Sequence, residues 1–277
     1  MRLLNPMEAA LRPIPMAAPG GYEAPAAEGT LRLVLETVSG QPPACAAEAA
    51  VRLAQAEPLL AAVEAWCGRA FEWSWAGSGE APTGGATARW AGAGVGACLT
   101  LPWALLRQLS PPPWPLAHQL QWLPVAAELV LAVLSPAPEE QQALEPGGAV
   151  LLPASFEPDW FACLQAEGEG AAGGLRVLLD MSAGALRPCP ASAAVGAEPP
   201  PKAWALSCAW PEPLPPEQLL GWRDEPLPID LTRRVALWQH AAGVPAVCRA
   251  QGRLLPWGEG RALWIESVQG ERSVDPV

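Results

Sequence analysis

The chain has 277 residues, of which 51% are hydrophobic and 16% are charged, and its formal net charge is −11. This length and apolar content suffice for one large or two small folded domains and exclude wholesale disorder. Because Lys202 is the single lysine and acidic residues outnumber basic ones by 28 to 17, the composition argues against a nucleic-acid binder, which needs a basic surface facing phosphate.

Neither a signal peptide nor a membrane span is predicted. Residues 1–21 are interrupted by Asn5, Pro6 and Glu8 and lack the apolar core of a signal peptide. The longest apolar stretch, residues 123–134, is too short to cross a bilayer, which takes about 20 residues. Seven cysteines are widely scattered and form no C-x-x-C motif, so we expect free, mostly buried thiols in a reducing cytoplasm.

The first part of the chain alternates between strand and helix patterns. Residues 1–29 have the composition of an irregular lead-in, and residues 30–38 then show the period-two alternation of a half-buried strand. A helix is predicted from about Cys45 and a second one from Pro58, with Gly68 placed to end it. The next predicted elements are strands at 71–75, 89–90 and 97–101, a loop at 77–88 and a short helix at 103–109.

In the middle of the chain, proline and glycine interrupt the predicted helices and strands. Residues 110–115 are predicted to be extended, because successive prolines block helical hydrogen bonds. A rigid wall inside the fold is favoured there over a polyproline ligand for a partner. Residues 125–134 form an apolar element that the pattern leaves open as strand or helix. The next predicted elements are a helical turn at 139–144, a Pro-Gly turn at 145–148, a strand at 149–152, a short helix at 159–165 and a buried strand at 175–179.

A proline-rich linker at 187–202 marks the predicted domain boundary. It separates a mixed α/β amino-terminal domain, residues 30–186, from a small β-rich module at 203–270 and a tail at 271–277. The predicted fold class is therefore α+β. The strand candidates past the linker lie at 204–210, 234–239, 246–250, 253–256 and 261–268.

Motifs for cofactor binding or catalysis are weak. Gly92, Gly94 and Gly96 superficially resemble a dinucleotide fingerprint, but a strand pattern follows them and no carboxylate lies about 20 positions on, so a glycine-rich turn is favoured. His118 and His240 have no set of nearby metal ligands. No G-x-S-x-G elbow supports a Ser-His-Asp triad. We therefore predict no catalytic, cofactor-binding or metal-binding residues and no cofactor.

Paired carboxylates offer the remaining route to an enzyme. Glu139/Glu140 and Asp224/Glu225 are adjacent in sequence, and adjacent side chains point in different directions on a helix or a strand. A solvated charged face is therefore favoured over an acid–base pair. Asp180 closes a predicted buried strand, where a carboxylate usually caps a turn. An enzyme is accordingly the poorer hypothesis.

Tryptophan on short strands is the most abundant signal in the carboxy-terminal module. A module this small cannot easily bury every large side chain, and tryptophan is enriched at binding hot spots. Ordinary core packing and a subunit interface both stay open for each ring. The candidate interaction residues, which would serve module packing or dimerisation, are Trp238, Leu254, Trp257, Trp264 and Ile265.

Three stretches carry a family resemblance: residues 66–73, the turn from a short helix into a strand at 144–153, and the closing hairpin built from 250–255 and 261–266. They resemble the cytoplasmic-ring, or sorting-platform, subunit of bacterial type III secretion, the YscQ/HrcQ type, which is related to the flagellar motor-switch proteins FliM and FliN. The hairpin resembles the end of a surface-presentation-of-antigens (SPOA) domain. Loosely, the resemblance covers residues 30–268.

The sequence departs from the family pattern in two respects. Gly147-Gly148 stands where the family has Gly-Asp after the proline turn, and one SPOA-like module is found where a full-length member carries two. This pattern resembles lineages in which the subunit is encoded as two polypeptides. The missing module would then be supplied by a separate partner chain.

The resemblance implies a non-enzymatic scaffold with a mixed α/β domain followed by the SPOA-like module. Its partners would be other platform subunits, namely a second SPOA-containing chain, the ATPase stalk regulator and a linker protein, in a homo- or hetero-oligomer. The location implied is the cytoplasmic face of the inner-membrane secretion apparatus, without direct insertion into the membrane. The alternatives are a secretion chaperone or regulator and, as a weaker hypothesis, a small-molecule enzyme.

Overall fold

The chain contains both helices and strands, and every described strand pair is antiparallel. The α+β fold class predicted from the sequence is thus confirmed. The chain divides into two compact units, residues 1–123 and 124–277. The computed structural model describes residues 21–36, 44–77, 84–92, 95–152, 160–167, 174–180, 182–189, 203–230, 232–241, 244–258 and 260–269.

The first unit contains one six-stranded sheet and several helices. Its strands are β1 (Gly21–Ala26), β2 (Gly29–Glu36), β3 (Ser74–Gly77), β4 (Gly85–Gly92), β5 (Val95–Pro102) and β6 (Leu120–Trp122). Its helices are α1 (Ala46–Gln55), α2 (Glu57–Cys67), α3 (Trp103–Leu106) and α4 (Trp114–Gln119). The strand order is β3-β1-β2-β5-β4-β6.

The core of the first unit follows the patterns read from the sequence. Leu31 and Leu33 alternate along β2 and are fully buried, and Leu33 lies opposite the buried Leu99 of β5. Helix α2 has Pro58 in its first turn, where the missing N–H costs no hydrogen bond, and it ends at Gly68 with a φ of 68°. These two predictions are confirmed, the first over the described part of the predicted strand.

The second unit contains a ten-stranded sheet. Its strands are β7 (Ala127–Leu134), β8 (Ala149–Leu151), β9 (Trp160–Ala166), β10 (Leu175–Asp180), β11 (Ala185–Pro188), β12 (Trp204–Ala209), β13 (Leu227–Pro228), β14 (Arg234–Ala241), β15 (Val244–Trp257) and β16 (Gly260–Val268). Two short helices, α5 (Pro138–Gln142) and α6 (Pro216–Leu219), belong to it. The strand order is β13-β11-β10-β9-β7-β12-β14-β15-β16-β8. None of the helices described in either unit has the length and apolar character needed to cross a membrane.

Residues 159–165, predicted as a short helix, form strand β9 instead, with Asp159 outside the described residues. Both edges of β9 are paired, with β7 on one side and β10 on the other. Trp160, Ala162 and Leu164 are buried with the period of a strand. The segment is too short for its own sequence to determine its conformation. Pairing with two strands distant in sequence therefore determines that it is a strand.

Two predicted loops give way to strands in the first unit. Residues 1–29 were expected to be irregular, yet β1 lies within this range and pairs with β2 in a tight hairpin. The predicted loop at 77–88 ends earlier than expected, because β4 begins at Gly85 and pairs with β5 along its whole length. In both places glycine and proline punctuate strand ends, and cross-strand hydrogen bonds hold the intervening residues extended. Residues 1–20 and 78–83 lie outside the described part of the chain.

The proline segment at 110–115 is extended only up to Pro113. Helix α4 begins at Trp114 with Pro115 in its first turn, a position where proline is tolerated. Trp114 is 75% exposed, so this segment is not the wall inside the fold that the sequence favoured. The undecided apolar element at 125–134 is strand β7.

The domain boundary predicted at 187–202 does not coincide with the division between the two units. Strands β11 and β12, which flank the linker, belong to the same ten-stranded sheet, and residues 190–202 lie outside the described ranges. Strand β12 pairs with β7 across a long stretch of sequence, for example Cys208 with Leu129. This non-local pairing joins segments that composition alone had separated.

The turn predicted at 145–148 is present directly before β8 and is hydrogen-bonded to β16. Gly147 adopts a φ of 85°, which favours glycine. The N–H of Gly147 donates to the carbonyl of Ile265 (2.8 Å), and the N–H of Ile265 donates to the carbonyl of Gly148 (2.9 Å). The turn therefore anchors the short strand β8 at the end of the sheet.

Gly252 provides a test of the β15–β16 pairing. A Cβ placed on it would lie 1.7 Å from the carbonyl oxygen of Trp264, at an irregularity in the register. Substitution Gly252→Ala must therefore displace the backbone, and we expect it to lower the free energy of unfolding by about 1–3 kcal/mol. Urea denaturation followed by circular dichroism measures the change.

Gly260→Ala is the matched control, because a Cβ on Gly260 of β16 meets only the carbonyl oxygen of Trp257 at 3.9 Å. We expect this variant to remain within about 0.5 kcal/mol of the parent. Equal losses for the two variants would contradict the close approach of β15 and β16 at Gly252.

Candidate functional site: an exposed apolar surface on β8, β15 and β16

The last strands of the ten-stranded sheet bring apolar side chains together on one face. The side chains of cross-strand partners point to the same side of a sheet, and so does the side chain of every second residue along a strand. Ala262 of β16 lies opposite Leu255 of β15 on one side and opposite Leu151 of β8 on the other. Leu151 is 60% exposed and Leu255 is 41% exposed. This row forms the centre of an apolar surface, in which Ala262 is itself buried between the exposed Leu151 and Leu255.

Two tryptophans extend this surface along the strands. Trp264 lies two residues from Ala262 on the same face of β16 and is 40% exposed. Trp257 lies two residues beyond Leu255 on β15, opposite Gly260, and is 54% exposed. We call the set Leu151, Leu255, Trp257 and Trp264, with Ala262 at its centre, the apolar surface.

The opposite face of the same strands belongs to the core. Leu254 and Leu263 are cross-strand partners and are buried, and Ile265 is 2% exposed. The alternation of the strands therefore divides the hairpin into a core face and a largely exposed face, on which the small Ala262 is buried at 1% exposed. The exposed face is as rich in large apolar side chains as the buried one.

The five predicted interaction residues fall into three places. Trp257 and Trp264 lie on the apolar surface, Leu254 and Ile265 lie in the core, and Trp238 is half-buried opposite Ala205 and Cys248. The structure thus brings two of the five together on an exposed face. It places the other three elsewhere in the sheet.

Sequence reasoning missed Leu151 and Leu255. Period-two alternation backwards from Trp257 could have found Leu255, because the two residues share a face of one strand. No local signal could have found Leu151, since it joins the surface through pairing between β8 and β16.

A row of charged side chains borders the apolar surface. Arg253 lies directly opposite Trp264, and Arg234 of β14 lies opposite Arg253. The carboxylate of Glu266 bridges both guanidinium groups, at 2.9 Å from Nε of Arg253 and 3.2 Å from Nε of Arg234. Two positive groups thus share one negative group at the edge of the apolar surface.

The glycine-rich segment around Gly92 connects two strands. Gly92 ends β4 and lies opposite Val95, the first residue of β5, in an antiparallel hairpin, while residues 93 and 94 lie outside the described part. A dinucleotide fingerprint instead leads from a strand into a helix. The prediction of a strand after the glycines is confirmed.

Of the two histidines, His118 has a described side chain. His118 is exposed on α4, where its ring meets the ring of Trp114 edge-on at 4.8 Å. The side chain of His240 lies outside the described set. Within the described residues, no group of three or more His, Cys, Asp or Glu side chains could hold a metal ion.

The carboxylates considered for catalysis have structural partners. Asp180 accepts hydrogen bonds from the N–H groups of Ser182 (3.1 Å) and Ala183 (2.9 Å) and forms an ion pair with Arg187 (3.1 Å). The hydrogen bond from the N–H of Ala183, followed by that from the hydroxyl of Ser182 (2.7 Å), holds the pKa of Asp180 below its usual value. Asp180 therefore caps the turn after β10, as predicted.

Glu140 also has a local role at the start of a helix. Its carboxylate accepts a hydrogen bond from the N–H of Ala137 (2.7 Å) at the first turn of α5. Glu139 is exposed on the same helix, as are Asp224 and Glu225 in the irregular segment before β13. These placements match the solvated or capping roles favoured from the sequence.

A small cluster of polar side chains lies between β7, β9 and β12. The hydroxyl of Ser207 donates to the carboxylate of Glu128, and the amide of Gln165 lies 3.5 Å from the same carboxylate. Ser207 and Gln165 are almost fully buried. The cluster joins polar side chains of three neighbouring strands but leaves the Oε1 of Gln165 buried without a hydrogen-bond partner among the described residues. The sequence pattern had not revealed it.

One cavity of about 140 Å³ lies in the first unit. Neither Asp180 nor His118 is among the residues that line it. The carboxylate of Glu28 at its edge already pairs with Arg69 at 2.5 Å. The lining residues are Glu28, Gly29, Thr30, Gly84, Gly85, Thr100 and Pro102.

The seven cysteines, all within the described residues, are free, as predicted. The expectation that most are buried is wrong, because only Cys98 and Cys248 are buried and Cys45 is exposed. Burial raises the pKa of the Cys67 and Cys208 thiols to about 11. These two thiols are therefore poor nucleophiles at neutral pH.

Comparisons with protein-family models, with curated proteins and with solved structures gave no match to this chain. The apolar surface and its charged border therefore carry the functional argument.

Substitution of tryptophan tests whether the apolar surface serves the fold or a partner. Trp160 is 1% exposed and its ring N–H donates to the carbonyl of Leu131 at 2.8 Å, so Trp160→Ala is expected to cost about 3–5 kcal/mol of unfolding free energy. Trp257→Ala is expected to cost less than about 1 kcal/mol, because the ring is more than half exposed. Urea denaturation compares the two. Equal losses would place Trp257 in the core.

Thiol alkylation tests the burial of the cysteines. With a pKa of about 11 in place of its usual 9.0, the Cys208 thiol holds about 100-fold less thiolate at neutral pH. We expect iodoacetamide to modify the exposed Cys45 before Cys67 and Cys208, as measured by peptide mass spectrometry. Labelling of Cys208 should accelerate as the pH rises toward 11. Labelling of Cys208 as fast as Cys45 in the folded protein at neutral pH would contradict this assignment.

Proposed function

We propose that the chain is a non-enzymatic assembly subunit of the cytoplasmic sorting platform, or C-ring, of a bacterial type III secretion system. In this role it binds other platform subunits and helps to recruit export substrates. The observation that carries the proposal is the apolar surface on β8, β15 and β16. Apolar side chains grouped on one exposed face and bordered by polar residues are typical of interaction sites.

The position of this surface agrees with the resemblance drawn from the sequence. The hairpin of β15 and β16 covers the segment that resembles the end of an SPOA module, and the turn at 145–148, the second stretch of resemblance, is bonded to β16. Two separate stretches of resemblance thus meet at one end of the sheet. This supports a β-rich, SPOA-like interaction module in the carboxy-terminal part of the chain.

The physical basis of such a contact is burial of apolar area. Tryptophan removes more apolar area from water than any other side chain and loses little conformational freedom on binding. Trp257 and Trp264 already stand in a rigid strand pair, so a partner need not order them first. The charged row at Arg253 would then influence orientation and partner choice more than affinity.

We further propose that the partners are a second SPOA-containing chain, the ATPase stalk regulator and a linker protein. The complex would form in the cytoplasm, at the cytoplasmic face of the inner-membrane secretion apparatus. No cofactor and no nucleic acid enters this proposal. We assign one of these contacts to the apolar surface, and the other partners would use other faces of the chain.

Co-expression with candidate ring, linker and stalk subunits, followed by sizing chromatography, tests the proposal. We expect the parent chain to co-elute with at least one of them. The double variant Trp257→Ser, Trp264→Ser should lose this complex or weaken it by about 30-fold, the effect of a hot spot worth about 2 kcal/mol.

Trp114→Ser is the matched control for this experiment. Trp114 is also an exposed tryptophan, but it lies on α4 of the first unit. We expect this variant to retain the complex. Elution of the parent chain as a monomer from every mixture would refute the proposed role, and retention of the complex by the double variant would remove the apolar surface from it.

A further inference from the structure

The charged row beside the apolar surface restricts the chemistry of its occupant. Arg253 and Arg234 are 55% and 71% exposed in their side chains, whereas Glu266, which bridges them, is 29% exposed. The two guanidinium groups therefore keep donors that face solvent, while the one carboxylate between them is largely committed. The row has an excess of positive charge.

This positive border is unusual for the chain that carries it. The protein has 28 acidic and 17 basic residues. Within β14, β15 and β16, however, the described residues include four arginines and a single carboxylate, Glu266. Two of these arginines, Arg234 and Arg253, are cross-strand partners beside Trp264, whereas Arg261 alternates with Ala262 and lies on the other face of the sheet. An occupant of the apolar surface therefore meets this arginine pair and its single bridging carboxylate together.

We infer that the apolar surface binds a segment of a partner protein in which apolar side chains are accompanied by carboxylates, in preference to a second copy of this chain. The inference rests on the assembly role proposed above and names the chemistry of the partner. Leucine-like side chains would cover Trp257, Trp264 and Leu151, and a carboxylate would reach Arg253, which lies directly opposite Trp264. Charge-assisted hydrogen bonds to a guanidinium are among the stronger polar contacts available to such a carboxylate.

A second copy of the chain matches this surface less well. Two copies meeting through their apolar surfaces would bring two charged rows into one interface. In each row Glu266 already pairs with both arginines of its own copy, so neither copy offers a further carboxylate from this row to the arginines of the other. Burying guanidinium groups without new acceptors opposes association. A partner segment that brings its own carboxylates removes this penalty.

Three labelled synthetic peptides of equal length test the inference by fluorescence anisotropy with the full chain. One alternates leucine with glutamate, one alternates leucine with lysine, and one alternates serine with glutamate. We expect the leucine–glutamate peptide to bind saturably and each of the other two to bind at least about tenfold more weakly. Raising the salt from about 0.1 M to about 1 M should reduce this preference, because the Debye length falls from about 10 Å to about 3 Å.

Charge reversal at the border sharpens the test. Arg253→Glu is expected to weaken the leucine–glutamate peptide by about tenfold and to strengthen the leucine–lysine peptide, a gain that a misfolded variant would not show. Arg223→Glu is the matched control, because Arg223 is 48% exposed and pairs with Glu217, away from the apolar surface. We expect it to bind as the parent chain does.

Several results would overturn the inference. These are equal binding of the acidic and basic leucine peptides, no effect of Arg253→Glu, and no binding of any peptide. Light scattering that shows a dimer dissociated by Trp264→Ser would identify a second copy as the occupant instead. Platform complexes that persist without any preference for the acidic peptide would refute this inference but leave the assembly role standing. Preferential binding of the acidic peptide without any platform complex would refute the assembly role but leave the peptide preference of the surface standing.

Discussion

Antiparallel pairing between distant segments holds the carboxy-terminal half of this protein together. Strand β12 pairs with β7 across the proline-rich stretch, and β16 pairs with β8 across most of the second unit. These ladders place residues that never meet in the sequence on one continuous sheet. The core face, the exposed face and the border of arginines all follow from the register of these pairs, since a shift of one residue would exchange the two faces.

The arrangement would allow one strand pair to serve both stability and the recognition proposed for it. In the hairpin of β15 and β16, Leu254, Leu263 and Ile265 fill the core, while Trp257 and Trp264 point to the other side. The buried side chains pack the strand pair against the core, and the exposed tryptophans are carried by the same paired backbone. A binding surface built in this way needs no loop to close and no segment to fold before it meets a partner.

Local signals predicted the elements that depend on local physics. Pro58 and Gly68 mark the ends of α2, because proline suits a first helical turn and glycine accepts the left-handed conformation that ends it. Strand β9 was mistaken for a helix because its conformation depends on pairing with two distant strands. The same limit governs the site: the tryptophans were found from composition, whereas Leu151 reaches them only through a long-range ladder.

The close contact between Gly252 and the backbone of Trp264 constrains how this part of the molecule can change over evolutionary time. Beyond that contact, β15 continues in regular register to Trp257. Substitution of exposed residues there, such as Leu255 or Trp257, would change the side chains that the hairpin presents to solvent while leaving its strand pairing intact. Inserting or deleting one residue would instead turn Leu254 outward and Leu255 inward. The hairpin therefore tolerates substitution of its exposed residues better than a change in its length. If it binds the partner proposed above, changes in its specificity would arise by substitution of side chains rather than by insertion or deletion.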